Sequence, residues 1–229
     1  MPEVCQEPKV YLCQQMANVA VYQMAAGQVA VYSRGNPHHQ TPNEDAAALI
    51  PLDAHCCILA VADGMGGNRA GKQASRIVIE AVASTVQPGA VELVHAEILN
   101  GIEQANRSIC DLELGAATTL ALVQIQGHTV RPYHVGDSMI LVTGQRGKVK
   151  LQTVSHSPVG YAVEAGLLDE HGAITHSDRH VVSNVPRLPR LIRVASGLRP
   201  PRMVAGRDWR AGHPGGRVLS DLQGLDMAL

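Results

Sequence analysis

Asp63 is the residue of this chain whose surroundings most clearly indicate chemistry. It follows an apolar run at residues 57–62 that is typical of a strand, and it precedes Gly64-Met65-Gly66-Gly67. A carboxylate at a strand end supplies the oxygen ligands that a hard divalent cation prefers. Glycine lets the backbone approach such an ion closely, because it carries no Cβ. The pattern therefore predicts a metal-binding strand end.

Two more acidic motifs flank Asp63. Asn43-Glu44-Asp45 precedes it, and Gly136-Asp137-Ser138 follows it after two predicted helices and a predicted hairpin. Carboxylates that converge without a cation repel one another, and their pKa values rise. A convergence of these side chains in the folded chain would therefore favour bound divalent ions.

The overall composition excludes several classes of partner. Apolar residues make up 45% and charged residues 17% of the 229-residue chain, as in an ordinary globular protein. The net charge of −1 gives no reason to expect nucleic acid or an anionic membrane as a partner. No apolar run approaches the roughly 20 residues of a transmembrane helix, and we expect no signal peptide.

The cysteines favour a reducing compartment. There are five, an odd number without a CxxC pair, which argues against a disulfide framework and against a zinc site. Cys56 and Cys57 stand at the head of an apolar strand and are predicted to be small buried core residues. On these grounds we expect a cytoplasmic protein.

Periodicity predicts strands, then two helices, then more strands and a final helix. The predicted helices are amphipathic segments at residues 74–85 and 91–109 and a shorter segment at 158–168. The predicted strands are residues 28–33, 46–50, 57–62, 118–126, 129–135, 139–143 and 149–154. Segregation of this kind indicates an α+β fold, with helices packed on antiparallel sheets.

The order and spacing of the motifs resemble the PPM-type (protein phosphatase 2C-like) metal-dependent serine/threonine phosphatases, in their bacterial form. The motifs that carry the resemblance are Asn43-Glu44-Asp45, Asp63-Gly64-Met65-Gly66-Gly67, Gly115-Ala116-Ala117-Thr118-Thr119-Leu120, His134-Val135-Gly136-Asp137-Ser138, His156-Ser157 and Val163-Glu164-Ala165-Gly166. The resemblance covers residues 28–185 and leaves 1–27 as an unassigned N-terminal extension. It implies a four-layer α-β-β-α sandwich of antiparallel sheets flanked by helices.

The resemblance also implies a site and an activity. Asp63 would bridge the ions of a binuclear Mn²⁺ or Mg²⁺ centre, and Gly64 would offer its backbone carbonyl. Glu44 and Asp45 would support the centre through water, and Asp137 would help to hold a third, looser ion. Asp63 and Asp45 are thus the predicted catalytic residues, and the reaction is hydrolysis of phosphoserine and phosphothreonine in proteins by a metal-activated water. A cognate serine/threonine kinase is the implied counterpart.

Two positions near the site depart from the family pattern. The arginine that clamps the substrate phosphate falls on Gln40 here, and Arg34 could replace it only if the loop at 35–42 folds back. Met65 stands where some members have histidine.

Four histidines lack metal-like spacing and are predicted to be surface or packing residues: His38, His39, His134 and His156. We expect the stretch at 115–120 to pass close to the site without taking part in the chemistry.

The resemblance stops within the C-terminal part. Val182-Ser183-Asn184-Val185 still fits, but the Ser-Asp-Gly and Asp-Asn motifs that complete the binuclear site do not follow. Ser220-Asp221-Leu222 resembles the Ser-Asp-Gly motif only weakly, with leucine in place of glycine. Asp221 is the best candidate for a missing metal ligand. Residues 186–229 are rich in Arg, Pro and Gly and are predicted to be irregular, as in a phosphatase domain that is truncated or translated out of frame.

The missing motifs lead to two functional hypotheses. The first is a metal-dependent phosphatase with impaired activity, because the loss of even a supporting partner of a metal ligand costs about 10–100-fold. The second is a non-catalytic pseudophosphatase module of the same fold, which binds a phosphoprotein or another partner without turnover. Whether a C-terminal aspartate reaches Asp63 separates the two.

Overall fold

The computed structural model of the protein describes residues 1–24, 27–36, 42–66, 69–89, 91–144, 147–186, 195–196, 220–222 and 225–228. Its helices are α1 (Arg69–Thr85), α2 (Val94–Cys110), α3 (Pro158–Glu164) and α4 (Glu170–Thr175). Its strands are β1 (Glu3–Val4), β2 (Lys9–Leu12), β3 (Ala20–Met24), β4 (Gly27–Val31), β5 (Ala46–Pro51), β6 (Cys56–Ala62), β7 (Gly64–Met65), β8 (Ala117–Thr118), β9 (Leu120–Gln126), β10 (Thr129–Val135), β11 (Leu141–Gly144), β12 (Val149–Gln152), β13 (Ala195–Ser196), β14 (Ser220–Leu222) and β15 (Leu225–Ala228).

A six-stranded sheet in the order β13-β10-β9-β6-β5-β2 forms the centre of the fold. Its pairs are antiparallel, and β6 lies between β5 and β9. The middle strands read as nearly continuous apolar runs because both of their faces are covered. This burial fixes the register of β6, and with it the place where Asp63 leaves the sheet.

The two long helices cover one face of the central sheet. Each turns an apolar stripe toward the sheet, with Val78 and Val82 of α1 and Ile98 and Ile102 of α2 fully buried. These are the positions that the helical periodicity predicts to be apolar contacts. The two helices are therefore confirmed, although α1 begins earlier than its periodicity indicates.

The opposite face of the central sheet packs on a second β layer. The β3–β4 hairpin contributes Met24, Val29 and Val31 to this core, and the β11–β12 pair contributes Val142 and Leu151. β1 joins the hairpin through a parallel pair with β3, the exception to antiparallel pairing among the described strands. After β12 the chain forms α3 and α4, which contact each other. The α+β sandwich with two facing β layers is thereby confirmed.

Both end segments contain more regular structure than their patterns indicate. Residues 1–24 of the unassigned extension form β1, β2 and β3, and β2 is an edge of the central sheet. The described residues of the segment predicted to be irregular, 186–229, form β13, β14 and β15. These strands are only two to five residues long, so that pairing with other strands defines them rather than local pattern.

Two further observations concern the helices and the cysteines. No helix within the described ranges is long and apolar enough to cross a membrane. All five cysteines lie in the described part of the chain, and they are thiols rather than disulfides. Cys56 and Cys57 are buried at the head of β6, as the sequence predicts.

We predict that Ile102→Ala lowers the free energy of unfolding by about 2–5 kcal/mol, because a fully buried side chain would leave a cavity under α2. The same substitution at Ile174, which is 51% exposed on α4, is the matched control and should change that free energy by less than about 0.5 kcal/mol. Urea denaturation followed by circular dichroism measures both variants. Equal losses would contradict the packing described above.

Candidate active site

Two threonines next to β9 hold the backbone of Asp63. The Asp63 amide donates to Thr119 Oγ1 at 3.0 Å. The Asp63 carbonyl accepts from the Thr119 amide and from the Thr118 hydroxyl, each at 2.9 Å. Both threonine residues are fully buried, which limits the access of water to these bonds. Asp63 therefore leaves β6 in one fixed direction.

Thr119 also connects Asp63 to the turn that carries Asp137. Its hydroxyl oxygen lies 2.5 Å from Ser138 Oγ. Gly136, just before Asp137, has a φ of +102°, and a Cβ there would lie 2.7 Å from Thr119 Cγ2. The backbone passes so close to Thr119 that this position requires glycine. The passage brings the Asp137 turn next to Asp63.

Asn43 holds the main chain at Glu44 and Asp45. Its side chain is buried, and Nδ2 donates to the Gln14 carbonyl at 2.7 Å and to Ser33 Oγ at 2.8 Å. Its Oδ1 accepts from the Asp45 amide at 3.1 Å, in a local turn that is typical of asparagine. These bonds fix the backbone, while part of the Asp45 residue stays in contact with solvent.

Glu44 lies against α1, at the point where two glycines cross. The Ser75 hydroxyl of α1 donates to the Glu44 carbonyl at 2.5 Å. A Cβ at Gly64 would lie 2.5 Å from the Gly71 carbonyl carbon and 2.7 Å from the Glu44 carbonyl oxygen. A Cβ at Gly71 would collide with Glu44 Oε2 and would lie 2.9 Å from the Gly64 carbonyl oxygen. The Glu44 carboxylate and the Gly64 carbonyl thus face the same patch of backbone, which glycine leaves open.

Acidic side chains crowd around Asp63. The pKa of Asp63 rises to about 7, through burial first, and then through the charge of Asp45, a hydrogen bond with Asp45 and the charges of Asp137 and Glu44. The pKa of Asp45 is raised by burial and by the charge of Glu44, although its bond with Asp63 acts in the opposite direction. Asp63 keeps contact with solvent, and water offsets part of the effect of burial on its pKa.

The donor set suits a hard cation in type but does not form a closed cage. Asp63 and Asp45, which we call the carboxyl pair, are in hydrogen-bond contact; the charge of Glu44 acts on both of them and that of Asp137 acts on Asp63. Within the ranges that the structure describes, no three His, Cys, Asp or Glu side chains are arranged to hold an ion together. The carboxyl pair is therefore the nucleus of the candidate site, and a backbone carbonyl such as that of Gly64, together with water, would complete the coordination.

His134 and His156 form a buried pair beside the Asp137 turn. Their ring centroids lie 4.3 Å apart, and burial lowers the pKa of His134. The Gly136 amide donates to His156 Nδ1 at 3.3 Å, and Asn184 Nδ2 lies 3.1 Å from the same nitrogen. Both histidines are therefore packing residues, as their spacing predicts, and His156 connects the turn to the segment near Asn184.

Several residues discussed from the sequence are not placed at the site. Gln40, His38 and His39 lie outside the described residues. β14 lies beside β15 at the edge of a four-stranded sheet, and the side chain of Asp221 is outside the described part of the structure. Arg34 is exposed. The part of the site that would bind a phosphate is thus still a prediction.

The structure also assigns positioning roles that the motifs do not. Thr118 and Thr119, expected only to pass close to the site, hold Asp63. Gly71 and Ser75 of α1 lie against Glu44. A signal for them exists in the sequence, because small residues one helical turn apart mark a helix face that can approach backbone closely. That signal does not identify the chain segment whose backbone packs against this face of α1.

Solved structures share this architecture. The Streptococcus agalactiae serine/threonine phosphatase gives a TM-score of 0.63 at 24% identity, over 85% of this chain and 75% of that one. The catalytic domain of the serine/threonine protein phosphatase PstP, solved in complex with two manganese ions, gives a TM-score of 0.52 at 23% identity, over 85% of this chain and 73% of that one. The fold is thus the sandwich found in bacterial serine/threonine phosphatases of this type.

Sequence comparison defines the family more closely. The family model described as protein phosphatase 2C matches residues 18–187, which is more than half of the chain. A putative protein phosphatase 2C-type from Streptococcus pyogenes is 31% identical over 134 residues, which are 55% of this chain and 54% of that protein. The chain belongs to the protein phosphatase 2C, or PPM, family. The match spans about half the length of that relative.

We predict that Thr119→Val lowers the free energy of unfolding by about 1–3 kcal/mol, because the isosteric side chain leaves the partly buried Asp63 amide without its acceptor. Thr119→Ser keeps the hydroxyl and loses a buried methyl group, which should cost about 1 kcal/mol. Chemical denaturation of both variants measures the difference. A serine variant that is less stable than the valine variant would show that the hydroxyl does not hold Asp63.

Gly71→Ala should destabilise the protein by about 1–3 kcal/mol, because the new Cβ would overpack against Glu44 and Gly64. In a helix without such neighbours, the same change is expected to stabilise by about 0.5–1 kcal/mol. Gly172→Ala on α4 is the control, since a Cβ there first meets the flexible end of Leu168. Thermal unfolding of both variants should therefore give shifts of different size, and a Gly71→Ala protein as stable as the parent would refute the close crossing.

Proposed function

We propose that this chain acts as a metal-dependent phosphatase on phosphoserine and phosphothreonine in proteins, with Mn²⁺ or Mg²⁺ as cofactor. The observation that carries the proposal is the carboxyl pair: two acidic groups in contact, whose repulsion a divalent cation would relieve. Family membership supports the reaction class. A kinase that phosphorylates the same proteins would be the counterpart in the cell, and the odd number of cysteines favours the cytoplasm as the location.

The acidic residues would share the task of holding the ions. Asp63 and Asp45 would bind directly or through water, with the Gly64 carbonyl and Glu44 beside them and Asp137 at the outer edge. Divalent ions in such a site activate a water for attack on phosphorus and neutralise charge on the phosphoryl oxygens. No side-chain nucleophile is required for this reaction.

The surrounding residues would keep the ligands in place. Thr118 and Thr119 direct the Asp63 carboxyl group out of the central sheet. Asn43 turns the Asp45 backbone through its Oδ1, so that the two carboxyl groups stay close despite their repulsion. Rigid supports of this kind lower the cost of ordering the ligands when an ion binds.

We further propose that turnover by this chain is slow. The described ranges contain no three side chains arranged to hold an ion, and Gln40 stands where the phosphate-clamping arginine is expected. Loss of a partner of a metal ligand typically costs about 10–100-fold in activity or affinity. The losses would combine, so the rate should lie well below that of a complete site.

A second candidate function follows from the same incomplete cage. With the carboxyl pair alone, the chain could bind a divalent ion and a phosphoprotein without hydrolysing it, as a pseudophosphatase of the same fold. The absence of a three-side-chain group among the described residues favours this candidate. Turnover, rather than metal binding, separates the two functions.

We predict Mn²⁺-dependent hydrolysis of a chromogenic phosphate monoester that is abolished by a chelator and restored by added Mn²⁺. Asp63→Asn should lower the rate by about 100-fold or more, because the variant loses a carboxylate that neutralises the ions. Asp53→Asn is the matched control: Asp53 precedes the same strand at its other end, accepts from the His55 amide at 2.6 Å, and keeps an acceptor oxygen as asparagine.

The outcomes distinguish the candidates. Hydrolysis that Asp63→Asn abolishes and Asp53→Asn leaves unchanged supports the enzyme. Mn²⁺ binding by the parent chain without any hydrolysis supports the pseudophosphatase. Hydrolysis that survives Asp63→Asn would show that the activity does not arise from this site.

A further inference from the structure

Residues 9–16, to which no motif gives a role, contact the loop that carries Glu44 and Asp45. β2 pairs with β5 at the edge of the central sheet, and the chain then crosses the loop at 43–45. The Cys13 amide donates to the Asp45 carbonyl at 2.8 Å. The Gln14 carbonyl accepts from Asn43 Nδ2 at 2.7 Å. Two bonds from consecutive residues thus reach the loop that carries the predicted ligands.

Further contacts keep this segment on the loop. The Met16 amide donates to the Ser33 carbonyl at 2.9 Å, and the Gly35 amide donates to Gln15 Oε1 at 3.2 Å. The Cys13 side chain lies next to Ser75, whose hydroxyl donates to the Glu44 carbonyl. The segment therefore contacts parts of the chain that precede Glu44 and Asp45 and a part that follows them.

Asn43 transmits the contact from the segment to Asp45. One end of its amide donates to Gln14, and the other end accepts from the Asp45 amide. Because the side chain is buried, it has no water to replace a lost partner. Without Gln14, the Asn43 side chain would keep Ser33 as a partner but lose one of its two fixed donor contacts, and its hold on the Asp45 amide would loosen.

We infer that residues 9–16 form a strap that positions Asp45, and that this strap sets the affinity of the carboxyl pair for a divalent cation. The statement about affinity rests on the proposed function, whereas the positioning of Asp45 does not. The strap belongs to the phosphatase domain in this view, although it precedes the residues matched by the family model. A chain beginning at Met16 would lack residues 9–15 of the strap.

Cys13 provides a way to disturb the strap without changing the charges of the site. Its φ is +52°, in the left-handed region that a β-branched residue adopts only with strain. Cys13→Val should therefore distort the strap where it bonds to Asp45. Cys13→Gly fits the same backbone without strain and controls for loss of the thiol.

The experiment compares the full chain with these two variants and with two shortened chains. One shortened chain begins at Lys9 and keeps the whole strap, which includes β2. The other begins at Met16. Amide hydrogen exchange of Asp45, measured by NMR on the metal-free proteins, reports the positioning, since this amide bonds to Asn43 rather than to the strap. Electron paramagnetic resonance of free Mn²⁺ gives the dissociation constant.

We expect the chain from Met16 and the Cys13→Val variant to exchange the Asp45 amide about tenfold faster and to bind Mn²⁺ about tenfold more weakly. The chain from Lys9 and the Cys13→Gly variant should stay within about twofold of the parent, as changes away from the strap contacts do. In the hydrolysis assay, the Mn²⁺ concentration for half-activation should rise while kcat at saturating Mn²⁺ is retained, because a bound ion restores the geometry that the strap otherwise provides.

Each outcome has a distinct meaning. If the Asp45 amide exchanges at the parent rate in both the chain from Met16 and the Cys13→Val variant, the positioning role of the strap is refuted, whatever the activity. Faster exchange together with an unchanged Mn²⁺ dissociation constant would overturn its effect on affinity. Faster exchange and weaker Mn²⁺ binding, in a protein that does not hydrolyse phosphate esters, would uphold the strap and refute the enzyme. If the chain from Met16 does not fold, the two Cys13 variants decide the question.

Discussion

The repulsion between the carboxyl groups of Asp63 and Asp45 is the constraint on which the arrangement of the candidate site depends. Two ionised carboxyl groups repel each other, and they stay in contact when one of them keeps a proton, when a cation lies between them, or when other bonds hold their backbones. Thr118 and Thr119 hold one backbone, and Asn43 holds the other. The buried central sheet anchors these supports. Bonds of the surrounding fold thus keep two acidic groups close together, which is typical of a functional site.

Most of the elements that carry this constraint could be predicted from sequence. The runs at 46–50, 57–62 and 129–135 are strands because apolar side chains cover the faces of the sheet, and the helices follow their apolar stripes. The strand end at Asp63 was readable because a lone carboxylate follows an apolar run and precedes glycines. These features are local, and local pattern is sufficient for them.

The features that sequence could not supply are long-range contacts. β2 is an edge strand with a mixed face, and it becomes a strand because it pairs with β5. Gly71 reads as an ordinary helix residue until the crossing backbone of Gly64 is known. The resemblance to the phosphatase family supplied the grouping of Glu44, Asp45, Asp63 and Asp137, and the structure supports it through the electrostatic effect of the other three on Asp63. The roles of these residues as metal ligands are still predictions.

The bond between Asp63 and Thr119 joins residues that are 56 positions apart in the chain. Both long helices lie in this interval, so the bond forms only when a large loop has closed. Loop closure costs conformational entropy before the distant contacts contribute favourable free energy, and such contacts form slowly in folding. A ligand of the finished site would therefore select the folded chain from the unfolded ensemble. At 100 times its dissociation constant, it would add about 2.7 kcal/mol to the stability of the fold.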